Sequence, residues 1–284
     1  MEIKASQVKE LRDMTGVAMM ECKKALVECS GDIEKALDLL RSNSALKAEK
    51  KAARVAADVL RVHVGDDYST LIEINSETDF AAKDENFIKF ADDVQKFISE
   101  NKLTDIADIQ ASEVEDKRKA LVQTIGENIQ LRRLETIEYS SEMNTSSYVH
   151  SDSKLGSIVV ISGGDETLAK DIAMHVSAFN PICLSQDDID KDVLEREKAI
   201  YQNQAQDSGK PQDIMDKMVD GKIKRFLSEV SLVSQNFVKD PDITVQEYLE
   251  KGGATIVEFA RLKVGEGIEV ETKDFAEEVA EQLK

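Results

Sequence analysis

The apolar residues between Tyr68 and Ile98 change period once, and that change confines the chain to a small set of folds. From Tyr68 to Ile74 they alternate and are β-branched enough to predict a strand, with Leu71 and Ile72 inside. Beyond a polar segment, Phe87, Phe90, Ala91, Val94, Phe97 and Ile98 recur at helical spacing behind Asp84, a suitable N-cap. Strands that neighbour in sequence and connect by short turns, with helices between them, favour small antiparallel sheets covered by helices on one face. The expected fold class is α+β.

The polar segment reads Asn75-Ser76-Glu77-Thr78-Asp79-Phe80-Ala81-Ala82-Lys83-Asp84 and holds one large aromatic residue. The helix that follows already has its own core residues. Phe80 therefore either folds back as a plug or stays in solvent for a partner, and a solvated ring keeps roughly 1.5–3 kcal/mol of burial free energy for docking. Periodicity leaves both readings open.

Residues 4–41 read as three short helices, marked by Val8 and Leu11, by Met19, Cys22, Leu26 and Cys29, and by Ile33, Ala36, Leu37 and Leu40. Thr15-Gly16 separates the first pair, and Ser30-Gly31-Asp32 supplies a C′ glycine and then an N-cap aspartate. The Ala- and Lys-rich stretch 44–57 reads as a connector, with a boundary near residue 54. Beyond it lies a weak internal duplication. The first copy has strands over 59–64, 68–74 and 130–139 and helices over 85–98 and 113–125; the second has strands over 147–150 and 158–161, a helix over 167–178 and a returning strand over 255–264. Inserted in the second copy, stripes through Val193, Leu194, Ile200 and Tyr201 and through Ile214, Met218, Ile223 and Phe226 predict an antiparallel helical hairpin turning at Ser208-Gly209-Lys210-Pro211. A short amphipathic helix through Phe275, Val279 and Leu283 ends the chain. The expected units are 1–54, 55–140, 141–186 with 229–265, the insertion 187–228, and 266–284.

Chemistry narrows by exclusion. Residues 1–54 carry 11 Lys and Arg against 9 Asp and Glu, and the remainder 26 against 47, which divides the net charge of −19 into +2 and −21. Such an acidic body repels phosphate backbones, so direct nucleic-acid binding is not expected. Apolar runs such as 158–161 are too short to cross a bilayer and Met1-Glu2-Ile3-Lys4 has no apolar signal region, so a cytoplasmic address and no membrane contact are expected. Cys22, Cys29 and Cys183 have no metal-ligand spacing, and His63, His150 and His175 are isolated from them, which predicts no metal site, disulfide or Cys/His nucleophile. No phosphate-loop pattern occurs, and no nucleotide or other cofactor is expected. What remains is a set of apolar residues expected at the surface: Phe80, the pair Met19-Met20 and the hairpin tip. That profile belongs to a protein-binding protein.

The ordered blocks Val8-Lys9-Glu10-Leu11-Arg12, Thr15-Gly16, Met19-Met20-Glu21-Cys22-Lys23-Lys24-Ala25-Leu26, Gly31-Asp32-Ile33, Thr78-Asp79-Phe80, Ile125-Gly126-Glu127-Asn128, Ile172-Ala173-Met174-His175-Val176 and Val264-Gly265-Glu266-Gly267 resemble bacterial translation elongation factor Ts across almost the whole chain. The resemblance implies a three-helix module of ubiquitin-associated (UBA-like) type, two related α+β subdomains with antiparallel sheets, a coiled-coil-like helical hairpin and a C-terminal module. It also implies an activity, the release of GDP from the GTPase elongation factor Tu during protein biosynthesis, without covalent chemistry. By the family's pattern Asp79 and Phe80 would enter the partner near its magnesium and phosphate region, with Thr78 beside them in the partner-binding set. Arg12, Met19, Met20 and Lys23 would grip another part of that domain, and His150 with the hairpin would hold the remaining domains. Ala81, where the family usually has valine, and Ala18, where many relatives carry glycine, depart from the pattern. Two other readings stay open: an acid–base enzyme, which needs a pocket with perturbed carboxylates, and a ubiquitin-binding scaffold resting on the first module alone.

Overall fold

Hydrophobic periodicity is realised as helices and strands in a computed structural model that describes residues 3–15, 19–37, 39–40, 57–206 and 210–267. Gly16, Ala18, the connector 44–56, the turn at Ser208-Gly209 and the terminal helix through Phe275, Val279 and Leu283 lie outside the described residues.

In α1 (Ala5–Thr15), α2 (Met19–Glu28) and α3 (33–37) the apolar stripes meet as one small core of Val8, Leu11, Cys22, Ala25, Leu26, Ala36 and Leu40. Gly31 closes α2 at φ +86°, donating its N–H to Leu26 O at 2.7 Å, and Asp32 Oδ1 then accepts the Lys35 N–H at 3.1 Å to start α3.

The first repeat forms an antiparallel sheet in the order β1 (Ala57–Val64), β2 (Tyr68–Ser76), β3 (Ile129–Glu138), with α4 (Glu85–Asn101), α5 (Ile106–Gln110) and α6 (Glu113–Ile125) on one face. The second repeat starts with β4 (Asn144–Val149), β5 (Leu155–Gly163) and α7 (Glu166–Phe179). After α8 (Lys191–Gln206) and α9 (Gln212–Val230) come a small ribbon of β6 (Asn236–Phe237) and β7 (Asp240–Thr244), α10 (Val245–Lys251) and β8 (Ala254–Lys263), which completes the sheet β4-β5-β8. Between α8 and α9, Ala205 and Val219 are buried and Lys222 lies 5.4 Å from the Tyr201 ring centroid.

The duplication extends to its irregularities. Opposite Glu73/Ile74 of β2, β3 carries an extra residue, Arg132; opposite Val160/Ile161 of β5, β8 carries an extra residue, Val257. Asp84 and Asp165 each cap the helix that follows, and Lys102 and Asn180 end those helices in the left-handed region. Periodicity does not announce α5, β6, β7 or α10, which are too short to show it. It also starts β4 late, because Asn144, Thr145 and Ser146 alternate no apolar side chain.

One face of each sheet packs on helices, and the other packs on the twin sheet. Leu60, Leu71 and Ile137 meet Ile158, Val160, Ala260 and Leu262 in a shared core, whereas Ile72 and Ile74 lie beneath α4 and Val159 and Ile161 beneath α7. Alternate residues of β2 therefore enter different cores, and the whole strand is buried. Gly156 permits the close approach: a Cβ there would lie 3.3 Å from Leu71 Cδ1 and 3.4 Å from Leu60 Cδ1. Glu73 is fully buried on the same side of β2 as Leu71, and its two oxygens each receive Arg132 Nη1 at 2.9 Å, with further bonds from Arg133 Nε and, at 3.0 Å, the Gly265 N–H. Gly265, at φ +75°, thus ties the end of the second repeat to the first.

His175 belongs to the core. Its Nδ1 accepts the Val238 N–H at 3.1 Å, so Nε2 carries the proton and donates to Gln235 Oε1 at 2.9 Å, while the ring stacks on Phe179 at 4.7 Å. Burial pushes its pKa below the ordinary 6.5, and the Gln235 hydrogen bond opposes that shift.

Two outcomes follow from this packing. Gly156→Val should lower stability by about 1–3 kcal/mol through overpacking between the sheets, read from urea denaturation. For His175, a depressed folded pKa adds stability that is complete above the unfolded value near 6.5 and is lost as pH falls toward the folded value. The stability gap between the parent and His175→Gln should accordingly be widest near about pH 7.5 and shrink by about pH 5 in paired denaturation curves.

Candidate protein-binding site

Equivalent strands lead into equivalent helices by connections of different length. From β5 to α7 the chain needs only residues 164–165, but from β2 to α4 it uses 77–84. The fold unit does not require the longer connection, and that connection carries Phe80.

The turn is held from within. Thr78 O accepts the Ala82 N–H at 3.1 Å, Phe80 O the Lys83 N–H at 3.2 Å and Ala81 O the Asp84 N–H at 3.0 Å, forming a 3-10 turn over Ala81–Lys83. The Thr78 hydroxyl accepts the Ala81 N–H at 3.2 Å and donates to Glu127 Oε1 at 2.7 Å. Beside it, Glu77 Oε1 accepts the Asn128 N–H at 2.8 Å. Ala81 points inward and is buried, so its small side chain lies within the local packing. Phe80 is 88 % exposed, and the core below is filled by Phe87 at 0 %. Of the two readings the sequence left open for Phe80, the plug is the one that fails.

Asp79 reaches the other repeat through an ion pair with Lys154 Nζ at 3.0 Å. Lys154 ends the tight turn between β4 and β5, in which His150 O accepts the Ser153 N–H at 2.8 Å and Ser153 takes φ +57°. His150 is exposed at the start of that turn, with Nδ1 at 3.0 Å from Asp152 Oδ1. The Lys154 N–H, and secondarily His150, hold the Asp152 carboxyl below its usual pKa. Ser153 O also accepts the Leu60 N–H at 2.8 Å, which fixes this turn against β1.

The structure thus joins Asp79 to the turn that carries His150, with Phe80 beside Asp79. It does not bring Arg12, Met19, Met20 and Lys23 into that cluster. All four are exposed on the three-helix module, Met19 at 48 % and Met20 at 65 %, while Leu11 and Cys22 are buried behind them. Thr78 is half-buried and spends its hydroxyl inside the turn. Sequence reasoning missed Glu127 and Lys154 as supports of the turn, because their partners lie 49 and 75 positions away and no local spacing signals them. Among the described residues no group of three His, Cys, Asp or Glu could hold a metal ion, and no helix is long and apolar enough to cross a membrane.

The arrangement can be set beside known proteins. The family model for Elongation factor TS matches residues 77–266. Elongation factor Ts from Hahella chejuensis is 53 % identical, with 99 % of each chain covered. That from Francisella tularensis subsp. novicida is 49 % identical, again with 99 % of each covered. The Thioalkalivibrio sulfidiphilus protein of the same name is 46 % identical over 100 % of this chain and 99 % of its own. A match that begins at the Phe80 turn, with relatives spanning nearly every residue, places this chain in the elongation factor Ts family of translation elongation factors.

Proposed function

We propose that this chain promotes the release of GDP from elongation factor Tu and that the Phe80 turn is the part that enters the partner. The observation that carries the reading is a phenylalanine 88 % exposed on a connection longer than its repeat counterpart requires. Asp79 and Phe80 insert near the partner's magnesium and phosphate region, where the ring wedges side chains apart and the metal site loosens. Factor and nucleotide each bind the GTPase, but binding one weakens the other by the same factor, so returning nucleotide expels the factor. The chain engages the GDP-bound GTPase and leaves it nucleotide-free, with no covalent bond made or broken on the factor. The net charge of −21 beyond residue 54 supports this division of labour, since an acidic body disfavours phosphate binding by the factor itself.

The remaining surfaces take supporting parts. Residues 1–54 act as a UBA-like module that grips the GTPase domain through Arg12, Met19, Met20 and Lys23, and the exposure of both methionines favours this. Residues 55–140 and 141–186 with 229–265 form the two core subdomains. The insertion 187–228, an antiparallel hairpin of α8 and α9, holds the partner's other domains together with His150, and 266–284 form a C-terminal module.

Stopped-flow release of a fluorescent GDP from elongation factor Tu tests the reading. The parent chain should accelerate release, and Phe80→Ala should lower that acceleration by about tenfold or more, as the loss of roughly 1.5–3 kcal/mol of docking free energy implies. Because the ring lies outside the core, the same variant should unfold within about 0.5 kcal/mol of the parent. Absence of acceleration by the parent would end the exchange assignment; equal acceleration by the variant would end the wedge role alone.

A further inference from the structure

We propose that Glu127 is a positioning residue for the Phe80 turn, acting through the hydroxyl of Thr78. The inference rests on the exchange reading above and names a residue on which the wedge depends. A threonine hydroxyl has one proton and two lone pairs. Donating the proton to Glu127 Oε1 at 2.7 Å turns a lone pair toward the Ala81 N–H, which it accepts at 3.2 Å. That N–H follows Phe80 directly, so the bond fixes the backbone on which the exposed ring stands. Without the acceptor the hydroxyl is free to rotate and the Ala81 N–H loses its fixed partner.

Two further observations set Glu127 apart from a stabilising surface residue. Among the described residues its buried Oε2 has no hydrogen-bond partner, so only one of its oxygens is bound into the fold. The clasp is also particular to the repeat that carries Phe80. There the strand end 77–78 and the entry to β3 are joined by Thr78–Glu127 and by Glu77 accepting from Asn128. In the second repeat the corresponding strand end, Gly163, lies so close to Gly253 that a Cβ on it would stand 2.4 Å from Gly253 O. Asn144 Nδ2 donates to Gly163 O and Gly164 O there, each at 3.2 Å, and among the described residues no carboxylate is used where no long turn has to be held.

The test uses the full chain and four variants. Glu127→Ala should lower the maximal rate of GDP release from elongation factor Tu by about tenfold while leaving the half-saturating concentration of factor nearly unchanged, because the ring is misplaced and the outer grips are intact. Glu127→Gln, which keeps an acceptor oxygen, should restore the rate. Thr78→Val should match Glu127→Ala, and the double variant should be no slower than either. Amide exchange followed by NMR supplies a readout without the partner: Glu127→Ala should speed exchange at Ala81 and leave Val94 in α4 protected. An unchanged maximal rate and unchanged Ala81 exchange, with the parent active, would overturn the role of Glu127. Additive losses in the double variant would overturn it as well, and Thr78→Val carries the comparison should Glu127→Ala fail to fold. A parent chain that does not accelerate release instead overturns the exchange reading, and this inference with it.

Discussion

Face-to-face stacking of the two three-stranded sheets is the contact on which both repeats depend. Each sheet has three strands and helices on one side only, so its second face needs a cover. Six aliphatic side chains, Leu60, Leu71, Ile137, Ile158, Val160 and Leu262, lose that cover if the sheets part. At about 1.5–3 kcal/mol each, their burial is comparable with the whole net stability of an ordinary domain, ~5–15 kcal/mol. The repeats are thus two halves of one structure, and Glu73 locks the pairing, since its fully buried carboxyl takes donors from β3 and from Gly265 beyond β8.

Stacking also places the candidate site. The Phe80 turn leaves the end of β2, and the turn with His150 and Lys154 joins β4 to β5. Neither turn could find the other through its own chain. Ser153 O on the Leu60 N–H and Lys154 on Asp79 register them once the sheets are docked. The exposed ion pair adds little free energy, roughly 0–1 kcal/mol, so it sets position more than stability. Rigid strands behind a short, internally bonded turn are what an exposed aromatic needs if it is to meet a partner without first being ordered.

Much of this was readable in the residues, and the unread part has a physical cause. Helix α6 occupies the expected 113–125, and the strands and α4 differ from expectation mainly at their ends, where polar or glycine residues carry no period. Periodicity states that a face is apolar without stating what covers it, so sheet-on-sheet packing was not readable, although the unbroken run 158–161 is its local signature. The same limit left Phe80 undecided. Exposure is a property of the assembled structure, which buries Phe87, Phe90 and Val94 in the core and leaves Phe80 outside it. His150 and Asp79 could be named one by one, but their proximity arises through Lys154 on the opposite repeat.

Two carboxyls, Glu73 and Glu127, show different ways in which so acidic a chain holds a carboxylate within its fold. Glu73 has donors on both oxygens and sits where the repeats meet, so its burial is compensated and its removal would be felt by the whole core. Among the described residues, Glu127 has a hydrogen-bond partner on one oxygen and none on the other, and the engaged oxygen leads to the turn that carries Phe80. A core selected for stability alone would replace such a half-satisfied group by an apolar one. The chain tolerates an incompletely paired carboxyl under an 88 % exposed phenylalanine, while the equivalent connection in the second repeat has neither feature. Both departures from good packing meet at one turn, and the proposed role of Glu127 in holding the ring would account for them together.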